Sequence, residues 1–263
     1  MIKLQTVAAS VALSMFASAG MAAVVTINSV SGEWVSTTPG GVLGLNSSGS
    51  GSYSEIKWGD PVDDVNQSGY SFQGLIPPPI VVDTALGTEF DLGVFTHDNF
   101  AVWNWPSVAS WITSANLNVN FELSIDGNDY SLSQVYTFDH DETPNFDGPG
   151  QSGGICKYGD ATGTGVNGSF GCNDQVTAVL NESLSETVIL DGMEYTFGIS
   201  GFRYGEETLD FFRTQEGLEN EAILVGQLLV TELPSEVPLP AAGWLLLAGI
   251  GGMAALKRKR ASA

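Results

Sequence analysis

Hydrophobic and polar residues alternate along most of this 263-residue chain, in short runs that Gly, Pro, Asn and Asp interrupt. Alternation with a period of two is typical of half-buried β-strands, and no segment before the C-terminal tail repeats its apolar residues with the 3.6-residue period of a helix. The pattern predicts strands over residues 24–34, 55–58, 90–95 and 222–233. The body of the chain is therefore predicted to be all-β.

Two Asp-Gly pairs, Asp126-Gly127 and Asp191-Gly192, mark the clearest turns between predicted strands. Asp and Gly tolerate the positive φ that a two-residue hairpin turn requires, so each pair predicts a β-hairpin. The predicted hairpins join residues 117–125 to residues 130–135 and residues 187–190 to residues 194–199. With 32 glycines and frequent turn signals, they favour an antiparallel β-sandwich that is jelly-roll-like.

The first 23 residues have the composition of a signal peptide. Lys3 provides a positive charge, residues 7–16 are apolar, and Ala17-Ser18-Ala19 matches the A-x-A pattern that signal peptidase cleaves. Later alanines are alternative cleavage positions, so the segment is assigned as residues 1–23. The chain is therefore predicted to be exported.

Residues 237–263 combine a short motif, an apolar run and a basic end. The motif is Val237, Pro238, Leu239, Pro240 and Ala241, and the basic end is Lys257, Arg258, Lys259 and Arg260. A helix from Pro240 to Leu256 would be about 26 Å long, slightly short of the roughly 30 Å hydrocarbon core, which predicts a marginal single transmembrane helix. The basic end is predicted to be a cytoplasmic stop-transfer signal, which places the body outside. A tail anchor that is never cut is the alternative.

The motif of this tail matches the VPLPA-CTERM variant letter for letter, so the tail resembles the PEP-CTERM class of bacterial sorting signals. The resemblance implies that an exosortase-type membrane protease removes the tail. The protein would then span the inner membrane transiently and afterwards reside at the cell surface or in the extracellular space. The expected processing partners are that protease and signal peptidase.

The product between the two targeting segments, residues 24–236, is predicted to be one β-sandwich domain with a strongly acidic surface. It contains all 30 acidic residues of the chain but only four basic ones, Lys57, Lys157, Arg203 and Arg213, which gives a net charge of −26. Such a surface repels nucleic acids and anionic lipids, so neither is an expected partner. Divalent cations and neutral glycans remain as candidates, although acidity alone also keeps a secreted protein soluble.

The chain has two cysteines, Cys156 and Cys172, in a glycine-rich segment. In an exported protein the oxidising environment favours a disulfide between them. The bond would close a loop of about 16 residues and contribute roughly 3 kcal/mol through chain entropy. No histidine lies within ligand spacing of either thiol, which argues against metal binding by these cysteines.

Seven short segments occur in an order that resembles the choice-of-anchor K domain. They are Trp34 after Ser31-Gly32, Trp58-Gly59, and residues 68–72, 92–100, 142–145, 172–174 and 216–220. The string around Phe95-Thr96-His97 is the most specific of them. The resemblance implies an all-β body that is displayed through a sorting tail, and it implies no biochemical activity.

Both histidines of the chain, His97 and His140, lie in or beside these segments, and each adjoins an aspartate. His97 with Asp98 and His140 with Asp141 would supply a mixed nitrogen and oxygen ligand set if the two segments meet on neighbouring strands. Alternatively, each histidine caps a turn or donates a hydrogen bond to a buried carbonyl.

A second metal candidate is the pattern Asp64-x-Asn66-x-Ser68-Gly69, in which oxygen-bearing side chains alternate before a glycine. This matches the first half of a calcium loop. The bidentate Glu that closes such a loop is expected at position 75, where the chain has Leu75, so a full EF-hand is excluded. A turn-borne calcium site on the β-scaffold is one interpretation, and a tight turn without an ion is the other.

Three functional classes are consistent with these features. The first is a non-enzymatic protein of the bacterial surface or extracellular matrix that acts in adhesion or exopolysaccharide association. The second is a glycan-binding module with a structural calcium, for which Trp103, Trp105 and Trp111 could offer stacking faces if they are exposed. The third is a glycosidase that uses two carboxylates. The chain contains no G-x-S-x-G or H-E-x-x-H motif, which favours the non-enzymatic classes.

Overall fold

The computed structural model describes residues 23–49, 51–75, 79–83, 89–143, 157–158 and 172–234. The predicted signal peptide, the sorting motif with its apolar span and basic end, and Cys156 lie outside these ranges. Within them, no helix has the length and apolar character needed to cross a membrane.

The described chain forms strands almost throughout. The strands are β1 (Val24–Thr38), β2 (Asn46–Ser48), β3 (Tyr53–Trp58), β4 (Ser68–Gly74), β5 (Ile80–Asp83), β6 (Glu89–Asn99), β7 (Ser114–Ile125), β8 (Asn128–Asp141), β9 (Asp174–Leu180), β10 (Val188–Leu190), β11 (Met193–Tyr204), β12 (Glu207–Leu209), β13 (Phe211–Thr214) and β14 (Leu218–Glu232). One short 3₁₀ helix spans Glu182–Leu184.

These strands form two antiparallel sheets that enclose one hydrophobic core. The six-stranded sheet has the order β13-β9-β8-β7-β1-β5. The eight-stranded sheet has the order β10-β11-β14-β6-β4-β3-β2, with β12 paired to β11. The prediction of an all-β, antiparallel sandwich is confirmed at this level.

Both predicted hairpins are confirmed, with their turns at the predicted Asp-Gly pairs. Ile125 pairs with Asn128 across the first turn, and Leu190 pairs with Met193 across the second. In the first turn the φ angles are 49° at Asp126 and 80° at Gly127, both positive as a two-residue hairpin requires. The four other predicted strands are also present, as parts of β1, β3, β6 and β14.

The positive φ of Gly127 yields a stability prediction for the β7–β8 hairpin. A Cβ at this position meets no atom within 4 Å, so Gly127→Ala changes only the backbone preference. We expect the free energy of unfolding to fall by about 1–2 kcal/mol, the usual cost of a left-handed conformation in an L-residue. Urea denaturation measures the loss. Gly41→Ala is the matched control, because its Cβ also meets no atom within 4 Å; equal losses in the two variants would contradict the prediction.

The core between the sheets is built from strand residues at alternate positions. Along β7 every second side chain is buried, from Ala115 to Ile125. Stacked aromatic pairs join the two sheets: the ring centroids of Phe121 and Phe197 lie 4.5 Å apart, and those of Phe95 and Phe138 lie 5.0 Å apart. The strand period of two thus decides which residues can meet inside the sandwich.

Candidate functional site

The two histidines meet inside the sandwich, although not on neighbouring strands. His97 lies on β6 of the eight-stranded sheet and His140 on β8 of the six-stranded sheet. Their ring centroids are 5.2 Å apart, and the two residues are only 0% and 6% exposed. The sequence offered these residues as ligands on the condition that their segments meet on neighbouring strands; the contact observed is instead made across the core.

The His97 imidazole is held at one nitrogen only. Its Nδ1 lies 2.8 Å from Oγ1 of Thr214, at the end of β13 in the opposite sheet. Its Nε2 is buried and has no hydrogen-bond partner among the described residues. The amide of Asn99 donates to the same threonine at 3.2 Å. A single nitrogen of His97 is thus presented, without a partner, to the interior.

The His140 imidazole is held at both nitrogens. Its Nδ1 lies 2.5 Å from the hydroxyl of Tyr70, and its Nε2 lies 2.9 Å from Oε2 of Glu142. Tyr70 on β4 pairs directly with His97 on β6, so one tyrosine contacts both histidine rings. A carboxylate that accepts from a histidine nitrogen fixes the orientation of the ring and raises its basicity.

Two more carboxyl groups complete a buried set, which we name the histidine–carboxylate cluster: His97, His140, Glu142, Asp174 and Glu216. Oδ1 of Asp174 accepts a hydrogen bond from the backbone N–H of Thr143 at 2.7 Å. Its Oδ2, and both carboxyl oxygens of Glu216, are buried without a hydrogen-bond partner in the described part of the chain. Asp174 is 0% exposed and Glu216 2% exposed.

The positions of Asp174 and Glu216 follow from strand pairing. Asp174 is the first residue of β9, where it pairs with Thr214 on β13. Glu216 lies in the turn after β13, in which the side chain of Asn220 accepts from the N–H of Gln215 at 2.8 Å and donates to its carbonyl at 3.0 Å. The N–H of Gly217 donates to the carbonyl of Asn99 at 2.6 Å, which joins this turn to the end of β6.

Burial shifts the pKa values of four cluster residues in the direction that favours their neutral forms. They are His97, His140, Asp174 and Glu216. Burial, with the neighbouring carboxyls of Asp174 and Glu142, raises the pKa of Glu216 to about 10. Burial and Glu142 raise the pKa of Asp174 well above its usual value. Burial lowers the pKa of both histidines, most strongly that of His97. The low dielectric disfavours every charged form here, as expected for groups removed from water.

One tryptophan, Trp58, packs against both histidines of the cluster. The indole of Trp58 stacks on His97 at 6.2 Å between ring centroids and meets His140 edge-on at 5.6 Å. Trp58 itself is fully buried. Its packing holds both imidazoles in place in the buried core.

The two aspartates predicted as ligands do not join the cluster. Successive side chains along a strand point to opposite faces. Asp98 therefore points away from the face that carries His97, and Asp141 away from the face that carries His140. Asp141 is instead contacted by Lys157 and Tyr158 near the surface. Their places in the interior are taken by Asp174, Glu142 and Glu216.

The residues of the predicted calcium pattern make contacts with different parts of the protein. The amide of Asn66 donates to Asp63 at 2.6 Å, and the hydroxyl of Ser68 donates to the backbone carbonyl of Asp98 at 3.0 Å. Asp64 has a φ of 61° in the turn, while Ser68 already begins β4 and is buried. The side chains of Asn66 and Ser68 thus have different partners, and the contacts of Asn66 are those of an Asx turn centred on Asp63.

The missed members of the cluster were present in the segments that resemble the choice-of-anchor K domain. Six of those seven segments each place a residue in or against the cluster: Trp58, Tyr70, His97, Glu142, Asp174 and Glu216. Single short motifs gave no reason to group them, because the strands that bring them together are far apart in the chain. The order in which these segments follow one another along the sequence was the one signal that grouped these residues.

The cysteine next to this cluster is in a disulfide bond. Cys172 lies two residues before Asp174, and its carbonyl accepts a hydrogen bond from the Thr143 hydroxyl at 2.8 Å. Its predicted partner Cys156 lies outside the described residues, so the pairing between the two stays a prediction.

Two of the three tryptophans considered for glycan stacking are exposed on a loop. Residues 100–113 connect β6 to β7, and Trp103 and Trp105 there are 43% and 48% exposed. Trp111 is partly buried and packs against the core. The indole N–H of Trp105 donates to Asp60 at 3.1 Å, which anchors its ring against the segment after β3.

A surface cavity of about 490 Å³ opens near the β13–β14 turn and is lined in part by Phe211, Arg213 and Asn220. The carboxyl groups with strongly raised pKa values, Asp174 and Glu216, are buried between the sheets. A glycosidase needs an acid and a base or nucleophile that reach the scissile bond. The position of these two groups therefore does not suit glycoside hydrolysis.

No protein-family model matches the chain, and no curated protein is significantly similar to it.

Proposed function

We propose that this chain is a non-enzymatic protein of the bacterial surface or extracellular matrix, whose β-sandwich associates with neutral exopolysaccharide through Trp103 and Trp105. The observation that carries this proposal is the exposure of both indoles, 43% and 48%, on one loop. Tryptophan faces supply large apolar contact areas, and aromatic contacts of this kind contribute about 0.5–1.5 kcal/mol beyond area burial.

The loop that bears the tryptophans is fixed to its neighbours by several hydrogen bonds. The N–H of Trp103 donates to the carbonyl of Asp60 at 2.8 Å, and the N–H of Trp105 donates to the hydroxyl of Ser110 at 3.0 Å. An isolated β-bridge joins Pro61 to Val102. A loop that is already ordered loses less conformational entropy when a ligand binds, so this arrangement favours binding.

The charge of the domain favours an uncharged ligand. Residues 24–236 carry 30 acidic and four basic residues. Anionic polymers are repelled by such a surface, whereas neutral sugars stack on aromatic rings without an electrostatic penalty.

The two ends of the chain support the proposed location. A signal peptide over residues 1–23 and a VPLPA-CTERM-like tail over residues 237–263 would deliver the domain across the inner membrane for processing by an exosortase-type protease. The proposed history is transient anchoring followed by release to the surface. We further propose that the sandwich belongs to the jelly-roll-like class and to the choice-of-anchor K domain that its motifs resemble.

The proposal predicts that neutral polysaccharides retard the protein in native affinity gels. With β-1,3-glucan, cellulose derivatives and dextran as probes, we expect at least one to retard the wild-type protein. Trp103→Ala and Trp105→Ala should each weaken binding about tenfold, because the loss of one stacking contact of about 1.4 kcal/mol is a factor of ten in affinity.

Tyr53→Ala is the matched control, since Tyr53 is an aromatic residue of similar exposure on β3, 47%. It should leave the retardation unchanged. An equal loss in all three variants, or no retardation by any neutral polymer, would contradict the assignment of the tryptophan loop. Detection of the intact polypeptide in the cytoplasm would contradict the proposed location.

A further inference from the structure

The histidine–carboxylate cluster contains buried polar atoms that form no hydrogen bond within the described part of the chain. They are Nε2 of His97, Oδ2 of Asp174 and both carboxyl oxygens of Glu216, none of which has a hydrogen-bond partner in the described ranges. A buried polar atom without a partner destabilises the fold, so the occurrence of several together requires a reason.

The cluster also contains two carboxyl groups, those of Asp174 and Glu216, that form no ion pair with Lys or Arg in the described part of the chain. Among the described residues, the ion pairs of Lys and Arg are made with Glu55, Asp141 and Asp91, all away from Asp174 and Glu216. Buried carboxylates are normally paired with a cation or bound to a metal. A metal ion would give the orphaned atoms a partner, and its positive charge would favour the ionised carboxylates over the protonated forms that burial favours without a metal.

We propose that His97, His140 and Asp174 bind one divalent transition-metal ion, with zinc as the preferred metal. One potential ligand atom from each of the first three residues lies within 4.8 Å of the others, and all three residues are buried. Ligand atoms around a tetrahedral zinc ion lie roughly 3.3 Å apart, given metal–ligand distances of about 2.0–2.2 Å. Small side-chain rotations would therefore close the site.

The donor types select the metal. Two imidazole nitrogens with carboxylate oxygens suit zinc and its transition-metal neighbours, whereas calcium and magnesium take oxygen ligands. Burial lowers the pKa of both histidines, which favours the neutral imidazole that a metal binds. The donor set of this site therefore favours zinc over calcium.

The existing hydrogen bonds orient the ligands as a metal site requires. Thr214 holds Nδ1 of His97 and leaves Nε2 available, and the N–H of Thr143 holds Oδ1 of Asp174 and leaves Oδ2 available. His140 would exchange one of its two hydrogen bonds for the metal. Glu142, 2.9 Å from Nε2 of His140, is the positioning carboxylate beside that ring.

The site would link the two sheets and is closed to substrate. His97 comes from the eight-stranded sheet, while His140 and Asp174 come from the six-stranded sheet. All three ligand residues are buried, and a zinc ion held between the two sheets in the interior is placed as a structural zinc is. The bound metal would therefore stabilise the sandwich rather than carry out a reaction.

The test measures the metal content and stability of the full-length protein. After incubation with zinc and removal of the excess, we expect about one zinc per chain by elemental analysis. Zinc at about 100 times its Kd should raise the Tm by roughly 5–10 °C relative to the EDTA-treated protein. Asp174→Asn and His97→Ala should weaken zinc binding at least 100-fold, and Glu142→Gln by about 10–100-fold.

Asp98→Asn and Asp141→Asn are the matched controls, because each removes an aspartate next to a proposed histidine ligand but on the opposite strand face. Both should keep one zinc per chain. Circular dichroism in EDTA checks that each variant is folded, and Asp174→Asn replaces His97→Ala if the latter does not fold. A wild-type protein that binds no zinc, that is stabilised only by calcium, or that loses zinc equally in the control variants would overturn the site.

Discussion

Phe95→Ala is expected to lower the free energy of unfolding by about 3–5 kcal/mol, the usual loss for removal of a buried phenylalanine ring. Phe95 is fully buried on β6, stacks on Phe138 of the opposite sheet at 5.0 Å with an interplanar angle of 11°, and contacts Phe202 at 5.5 Å. Its removal leaves a cavity at the point where the two sheets are held together by aromatic contacts.

Chemical denaturation in urea measures this loss, and thermal unfolding should show a Tm lower by roughly 6–20 °C. Phe95→Leu should cost less, because it keeps most of the apolar volume. Val65→Ala is the surface control, since Val65 is 76% exposed, and should change stability by less than about 0.5 kcal/mol. A loss below about 1 kcal/mol for Phe95→Ala would show that the sheets do not pack as described.

The metal-free protein is expected to lose stability as the pH rises from 7 to 9. Glu216 has a pKa of about 10 in the fold against 4.5 in the unfolded chain, so between these values the folded state holds one more proton. Stability then falls with rising pH, at up to about 1.4 kcal/mol per pH unit for one proton. Asp174 acts in the same direction, because its pKa is also raised by burial and by Glu142.

The window above pH 7 isolates this effect from the histidines. The pKa values of His97 and His140 are lowered in the fold, so their contribution changes only below about pH 6.5, where stability falls as the unfolded chain takes up protons. Urea denaturation in EDTA at pH 7 and pH 9 measures the slope. Glu216→Gln, which cannot ionise, should reduce this slope and leave the part that Asp174 contributes; an unchanged slope would show that Glu216 does not hold a proton in the folded protein.

The local features of the fold were predictable because they depend on neighbouring residues. Alternation predicted parts of β1, β3, β6 and β14, and the Asp-Gly pairs predicted both hairpins, since a positive φ is a property of the turn residues themselves. The strand β4 was not predicted. Its first residues, Ser68 and Gly69, belong to a pattern that also fits a calcium loop, and only pairing with β3 and β6 decides between the two.

The candidate site was predictable only in part. His97 and His140 drew attention as the two histidines of the chain, each beside an aspartate. Proximity in sequence suggested Asp98 and Asp141, which lie on the strand faces opposite to those of the two histidines, because adjacent strand residues face opposite sides of a sheet. Asp174 and Glu216 are separated from His97 by 77 and 119 positions, a distance that sequence proximity cannot bridge.

The amino-acid sequence by itself determined the β-strands and their tight turns, the acidity of residues 24–236, and the residue types available for chemistry, because these depend on composition and on contacts between near neighbours. Tertiary structure alone decided which side chains meet. Pairing of β6 with β4 and of β9 with β13, followed by packing of the two sheets, brought His97, His140 and Asp174 together. Trp103 and Trp105 are exposed because they lie on the loop between β6 and β7, outside the packed strands.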